Sequence, residues 1–323
     1  MRWRPLLMIL PAAALAGLAL TRHAGAVESV AAPVRDDAHV QRAVEGARQR
    51  FLAGQRFDRL DVTVLLAAGG AGWLRGSVGG DQPWYPASCV KLGFAIAAVR
   101  WCAERSLAPD CLDVSVRPML QDSDNVATGE VVDAVSGVRN GPADGADFDA
   151  WFARRLYTEN LLQSHGLLGA QRLVNKTYPT NSGDMPVDLE RLALERHGHN
   201  SMTADGSALL MLAVVTGEFG SPATEYLRSR LRRPLISPNS AMGGGFPEGT
   251  VFESKFGSAY DTLAEIVHAT LPDGRRLIIA AYSNGRDPEG PEDQDPTALA
   301  GFAKLLLEEL DTQAAPLQRA GDD

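Results

Sequence analysis

The chain has 323 residues, 45% of them hydrophobic and 22% charged. These are globular proportions that exclude a disordered chain, a collagen-like repeat and a multi-span membrane protein. Its 31 basic and 40 acidic residues give a formal net charge of -9, so nucleic acid and anionic lipid are poor partners for its surface.

The N-terminus reads Met1-Arg-Trp-Arg, then an apolar run from Leu6 to Leu20, then Ala24-Gly25-Ala26. Charged, hydrophobic and small segments in that order form a cleavable secretory signal, and residues 1–26 are set outside the fold on that ground. The run is short and interrupted by Ala and Pro, and no cysteine stands near the cleavage site to take a lipid. The expected product is exported, periplasmic or secreted, and free of the membrane; an uncleaved anchor is the alternative. Cleavage would remove three arginines and no acid, moving the net charge from -9 to -12 (28 basic against 40 acidic residues).

From Asp36 to Leu52 the apolar positions Val40, Ala43, Val44, Ala47 and Phe51 recur at helical spacing, which predicts an amphipathic opening helix. Residues 61–67 and 73–78 read as strands joined through Ala68-Gly-Gly-Ala-Gly72, a hairpin composition. After Pro86, residues 88–104 are apolar around most of their circumference, as in a helix at the centre of a domain. The middle of the chain, 105–245, reads as helices and loops. Its clearest helices are 122–135, 147–163 and 203–217, with Thr203 a candidate N-cap. Gly243-Gly-Gly245 marks the return to strands at 250–257, 263–270 and 275–283, the last two joined by Pro272-Asp-Gly274, a hairpin signal. A final helix, about 296–311, carries Leu305, Leu306, Leu307 and Leu310, and 313–323 reads as a frayed tail.

Strands at both ends and helices between them predict an α+β fold in which the chain ends meet in one antiparallel sheet. The sheet lobe would comprise 36–84 and 248–312 and the helical lobe 85–247, within a single domain over 27–312. The three cysteines, Cys89, Cys102 and Cys111, are too few for a disulfide framework. In an oxidising compartment the simplest arrangement bridges Cys102 and Cys111; three reduced thiols are the alternative. Cys89 reads as a small buried hydrophobe.

Only four residues are lysines, Lys91, Lys176, Lys255 and Lys304, against 27 arginines. Where a plain positive charge suffices this chain uses Arg, so each Lys invites a reason. A desolvated ammonium can lose its proton and act as a base, whereas a guanidinium cannot. Ser88 lies three residues before Lys91 at the start of the buried helix, which puts hydroxyl and amine on one face, within reach for proton transfer. Downstream come Ser123-Asp124-Asn125 and, on a predicted strand, Lys255-Phe256-Gly257-Ser258.

The ordered trio S-x-x-K, S-D-N and K-x-G, within Tyr85-Pro-Ala-Ser-Cys-Val-Lys91 and ahead of the Pro-Asp-Gly-Arg hairpin, resembles the class A β-lactamase and penicillin-binding protein superfamily. The resemblance covers essentially the whole mature chain and implies a β-lactamase/transpeptidase-like fold. It implies Ser88 as the acylated nucleophile, Lys91 as its deprotonating partner, Ser123 as the proton relay to the leaving nitrogen and Asn125 as holder of the substrate amide. Lys255 would offer positive charge to a substrate carboxylate and crowd Lys91 toward neutrality. The backbone N–H groups of Ser88 and Ser258 would form the oxyanion hole, and Gly257 would let a ligand approach the strand.

Three departures bear on the reaction. In the register that places Asn181 on the family's Asn, Thr177 occupies the position of the deacylating Glu. A hydroxyl is no base at pH 7, which leaves Asp184, Asp188, Glu190 or Glu195 as substitutes. Phe256 stands where a hydroxyl residue is usual, so Ser258 would have to supply the lost hydrogen bond to a substrate carboxylate. The interval from Ser88 to Ser123 is also shorter than is typical of the β-lactamase branch.

Other motifs fall away. His197-Gly-His199 lacks companions at metal spacing. Arg75 stands where a third Gly would complete a dinucleotide fingerprint after Gly70-Ala-Gly72. No G-x-S-x-G occurs, and Asn175-Lys-Thr177 is a sequon by pattern alone. The expectation is an exported, monomeric serine hydrolase that opens β-lactam rings through an acyl-serine, with no metal or organic cofactor implied. Its partner is a small-molecule β-lactam or peptidoglycan-like substrate, with no nucleic acid. The alternatives are a D,D-peptidase or esterase of the same superfamily, or a penicillin-binding sensor that acylates without turnover.

Overall fold

The computed structural model describes residues 33–54, 57–169, 171–174, 188–284 and 298–319. The expected signal, Thr177, Asn181, Asp184 and the sequon lie outside the described residues. Strand β1 (Val34–Asp36) leads into helix α1 (Ala38–Gly54), whose first turn is held by Asp37 Oδ1 accepting from His39 N and Val40 N at 2.9 and 3.1 Å. The five apolar positions at helical spacing are the ones α1 buries. Strands β2 (Leu60–Ala67) and β3 (Trp73–Val78) form the expected hairpin.

The helical lobe follows. A 3-10 turn, Ala87–Val90, opens into α2 (Lys91–Glu104), then α3 (Asp113–Gln121), α4 (Asn125–Ser136), α5 (Phe148–Arg155), α6 (Tyr157–Ser164), α7 (Leu189–His197), α8 (Ala204–Thr216) and α9 (Ser221–Leu231). A second 3-10 turn, Gly243–Gly245, precedes β4 (Val251–Ala259), β5 (Thr262–Thr270) and β6 (Arg276–Ser283), and α10 (Ala300–Arg319) ends the described chain. At the β5–β6 turn Gly274 sits at φ +87°, left-handed backbone that glycine adopts without a Cβ clash.

The sheet order is β1-β3-β2-β6-β5-β4. Antiparallel pairing of β2 with β6, Val62 opposite Ala281, joins the two ends of the chain. One face packs Val62, Val64 and Ile279 against α1 and α10 through Val44, Phe51, Phe302 and Leu306. The other packs Ile266, Ile278 and Tyr282 against α2 and α8 through Phe94, Ile96, Leu210 and Met211. Alternation along each inner strand feeds both cores, which is why nearly every position of β5 and β6 is buried.

The structure departs from the sequence expectation in four places. The sheet is mixed, because β1 pairs parallel with β3; three residues, two of them charged, carry no period-2 signal. The expected helix 147–163 is two helices separated at Leu156, because α5 packs Phe148 and Trp151 on Leu189 and Ala193 while α6 sends Leu162 into the central core. Helices α3, α7 and α9 were not marked by periodicity. Helix α10 runs on to Arg319 rather than stopping near 311. Cys102 and Cys111 are bridged, with Cα atoms 6.2 Å apart, and Cys89 is a buried free thiol. Among the described residues no helix is long and apolar enough to cross a membrane.

Candidate active site

Four side chains singled out from sequence are delivered by three segments. Ser88 lies in the 3-10 turn before α2, and Ala87 ahead of it has φ +46°, a strained backbone for a residue with a Cβ. The Ser88 side chain is half-buried, and Lys91, the first residue of α2, is fully buried. Strand β4 presses on this turn: a Cβ on Gly257 would stand 2.9 Å from Ser88 N, Cys89 N and Pro86 O. Gly257 is therefore required by the close packing of the Ser88 turn on β4, a constraint that sequence reasoning, which looked to a ligand's approach, did not include.

Ser123 sits between α3 and α4 at φ +59°. Asp124 follows as the N-cap of α4, accepting from Ala127 N at 2.8 Å, and its own N–H returns to Pro118 O. This tight passage turns three oxygens onto one amine. Lys91 Nζ donates to Ser123 O at 2.5 Å and to Asn125 Oδ1 at 2.8 Å, and lies 3.2 Å from Ser123 Oγ. From β4, Lys255 Nζ donates to Ser123 Oγ at 3.0 Å and to Phe256 O at 2.7 Å. The Ser123 hydroxyl thus stands between two amines.

Two contacts of the buried Lys91 were not foreseen from sequence. Lys91 Nζ turns to the Ser123 loop, and none of its hydrogen bonds goes to Ser88. Asn125, expected to hold a substrate amide, spends its carbonyl oxygen on Lys91.

Burial sets the electrostatics. It pulls the Lys91 ammonium down to about 7, against the opposing pull of Asp124. It takes Lys255 well below its ordinary value, helped by the positive charges of Lys91 and Arg233. Desolvation therefore leads, and like-charge crowding between the two lysines adds to it. The Cys89 thiol, whose Sγ lies 3.4 Å from Lys255 O, is pushed up to about 12 by burial and is inert.

Strand alternation puts Ser258 on the face of β4 shared with Phe256, opposite Lys255. The Ser258 hydroxyl is buried without a hydrogen-bond partner, so it does not replace the missing hydroxyl beside Lys255. The described substitutes for the deacylating Glu are also engaged. Asp188 caps α7 and accepts from Asn140, Glu190 is buried against the fully buried Arg155, and Glu195 pairs with Arg191 at the surface. His197 stacks on Phe152 with ring centroids 4.0 Å apart, His199 meets Tyr85 edge-on, and no metal-binding cluster occurs among the described residues.

Sequence reasoning missed Arg233, one arginine among 27 with no motif to mark it. Its guanidinium donates to Leu120 O, Gln121 O and Ser254 O, at the backs of the Ser123 loop and of β4.

A mixed sheet closed by both chain ends, with a helical lobe beside it, is the β-lactamase-like fold. The chain belongs to the Beta-lactamase enzyme family, whose family model matches residues 112–310. It is 30% identical over 285 residues to golvesin from Dictyostelium discoideum, covering 86% of this chain and 49% of golvesin. The chain thus spans about half the length of that curated relative. Among solved structures, a PBP-A mutant held as its acyl-enzyme complex with penicillin G superposes with a TM-score of 0.62 at 18% identity, over 87% of this chain and 99% of that one. A β-lactamase from Sphaerobacter thermophilus superposes with a TM-score of 0.58 at 18% identity, over 84% and 98%.

Proposed function

We propose that the protein opens β-lactam rings by acylating Ser88. The observation that carries this reading is the pair of buried amines on one hydroxyl, Lys91 and Lys255 on Ser123 Oγ. A neutral Lys91 has two N–H groups and one lone pair, and two carbonyl oxygens take the N–H groups. The lone pair then faces Ser123 Oγ, 3.2 Å away, and can take a proton. As Ser88 Oγ bonds to the lactam carbonyl carbon, its proton passes to Lys91 and the C–N bond breaks. Ser123 gives its hydroxyl proton to the departing nitrogen and is reprotonated from Lys91, so the net transfer is one proton from Ser88 to nitrogen. The N–H groups of Ser88 and Ser258 would bind the oxyanion, and the family register would make Asn181 a substrate-binding residue.

Release of the acyl chain is the slow step in this reading. Among the described residues, each carboxylate weighed as a deacylating base already serves a cap or an ion pair. That observation favours, as the second reading, a D,D-peptidase or sensor whose adduct persists. The Cys102–Cys111 bridge supports export, since such bonds persist in oxidising compartments.

The test is incubation of the mature protein with a fluorescent penicillin, following adduct mass and hydrolysed product together. A stoichiometric adduct lost in Ser88→Ala is expected, with product forming more slowly than adduct. Fast product with little adduct would restore efficient hydrolysis. A folded protein that takes no adduct would refute acylation of Ser88.

A further inference from the structure

Arg233 stands just past α9 and its main-chain N–H pairs with Phe252 O at 3.0 Å. Its side chain makes no ion pair among the described residues. Nε donates to Ser254 O at 3.0 Å, Nη1 to Gln121 O at 3.2 Å and Nη2 to Leu120 O at 2.7 Å. Asn239 Nδ2 adds a second donor to Gln121 O at 3.1 Å. Leu120 and Gln121 end α3, where carbonyls have no helical partner and carry the negative end of the helix dipole. Ser254 immediately precedes Lys255. Helices α3 and α9 pack together, as do α9 and β4, so the segment beyond α9 straps the Ser123 loop to the Lys255 strand. A planar guanidinium suits this task because its donors leave in fixed, divergent directions; an ammonium offers one point.

We propose that Arg233 is a positioning residue that fixes the spacing of Ser123 and Lys255, and through it the rate of acylation of Ser88. The proposal rests on the acyl-serine reading above. Arg233 touches no reacting atom in this scheme and acts through two main-chain segments. Displacement of a catalytic group by about 1 Å costs up to ~10²-fold in rate, so a lost strap shows in chemistry before it shows in binding. The guanidinium also places a fixed positive charge near Lys255, so its removal raises the lysine's proton affinity.

The experiment compares wild type, Arg233→Gln and Arg233→Lys in two measurements. The first is the saturable rate of labelling by fluorescent penicillin, split into half-saturating concentration and limiting rate. In Arg233→Gln the limiting rate is expected to fall at least about tenfold while half-saturation moves less than about threefold. Arg233→Lys keeps the charge but cannot reach three carbonyls, and the same loss is expected. The second is an NMR titration of the lysine side chains, simplified because the chain has only four lysines. The Lys255 signal should titrate at higher pH in Arg233→Gln and stay at its wild-type position in Arg233→Lys. A wild-type limiting rate in Arg233→Lys, or an unmoved Lys255 titration in a folded Arg233→Gln, overturns the proposal. If Arg233→Gln does not fold, the Arg233→Lys rate alone decides. Failure of wild type to label at all refutes the acyl-serine reading instead, and the lysine titrations still judge the placement of Arg233.

Discussion

At the residue scale, the proposed acylation of Ser88 turns on one proton. Lys91 must be neutral to accept it, and burial holds its ammonium to about 7. Labelling of Ser88 should therefore rise as pH climbs through about 7 and level off above it; a rate flat from pH 5 to 9 would show that Lys91 is not the base. Lys91→Arg preserves charge and helix propensity but cannot release a proton, so labelling should fall by about 10²–10⁴-fold. The same displacement affects stability with a defined sign. The unfolded lysine binds its proton up to about its ordinary value near 10.4, so between pH 7 and that value the unfolded chain holds more protons. This group's contribution to stability accordingly rises with pH across that window. The meeting of Lys91, Ser123 and Lys255 was legible because few lysines compete for attention. Their orientation was not: spacing put Lys91 on the face of Ser88, whereas positive φ at Ser123 turns three acceptors toward it. Nor could spacing show that Asp188 and Glu190 are engaged, since Glu190 meets Arg155 across 35 positions of sequence.

At the element scale, what periodicity marks is burial against one broad face. Helix α1 and the five longer strands repeat that mark along their length and were read within a residue or two. Helices α3, α7 and α9 are shorter than α1 and mix polar with apolar positions, α3 with an internal Pro118, and they are held by particular partners. Tyr226 and Arg230 of α9 both bond Asp113 at the head of α3, and Asn140 holds Asp188 at the head of α7. Such ties are invisible to a hydrophobic pattern. A cap is visible, because its side chain and its target lie three residues apart. Thr203 accepts from Gly206 N at 3.0 Å at the start of α8, the helix lying across β2, β5 and β6. Thr203→Ala should lower unfolding free energy by about 1 kcal/mol. Equilibrium denaturation measures that loss, and an unchanged midpoint would mean that the buried α8 does not need its cap.

At the scale of the whole molecule, the site exists because the chain ends close one sheet while the middle folds beside it. Ser88 enters after β3, and Lys255 arrives on β4 at the far edge of the sheet, more than 160 residues later. The meeting of chain ends was legible from element order, since strands at each terminus must pair with something. The parallel edge strand β1 was not, because its one apolar residue, Val34, sets no period along three positions. This arrangement separates stability from chemistry along α2. Lys91 starts the helix and Cys102 lies in its last turn, about 16 Å away at 1.5 Å per residue. The bridge from Cys102 to Cys111 closes a loop with a sequence separation of 9, and loop-closure entropy gives it about 2–3 kcal/mol of stabilisation. Reduction, or Cys102→Ser with Cys111→Ser, should therefore lower the thermal midpoint of the folded protein while leaving the limiting rate of Ser88 labelling within about twofold of wild type, because a change this far from the reacting groups adds independently to any effect on them. Scanning melts with and without dithiothreitol, paired with labelling below the melt, measure both quantities. Loss of labelling at unchanged stability would mean that the bridge holds the Ser123 loop directly and that α2 does not insulate the site from it.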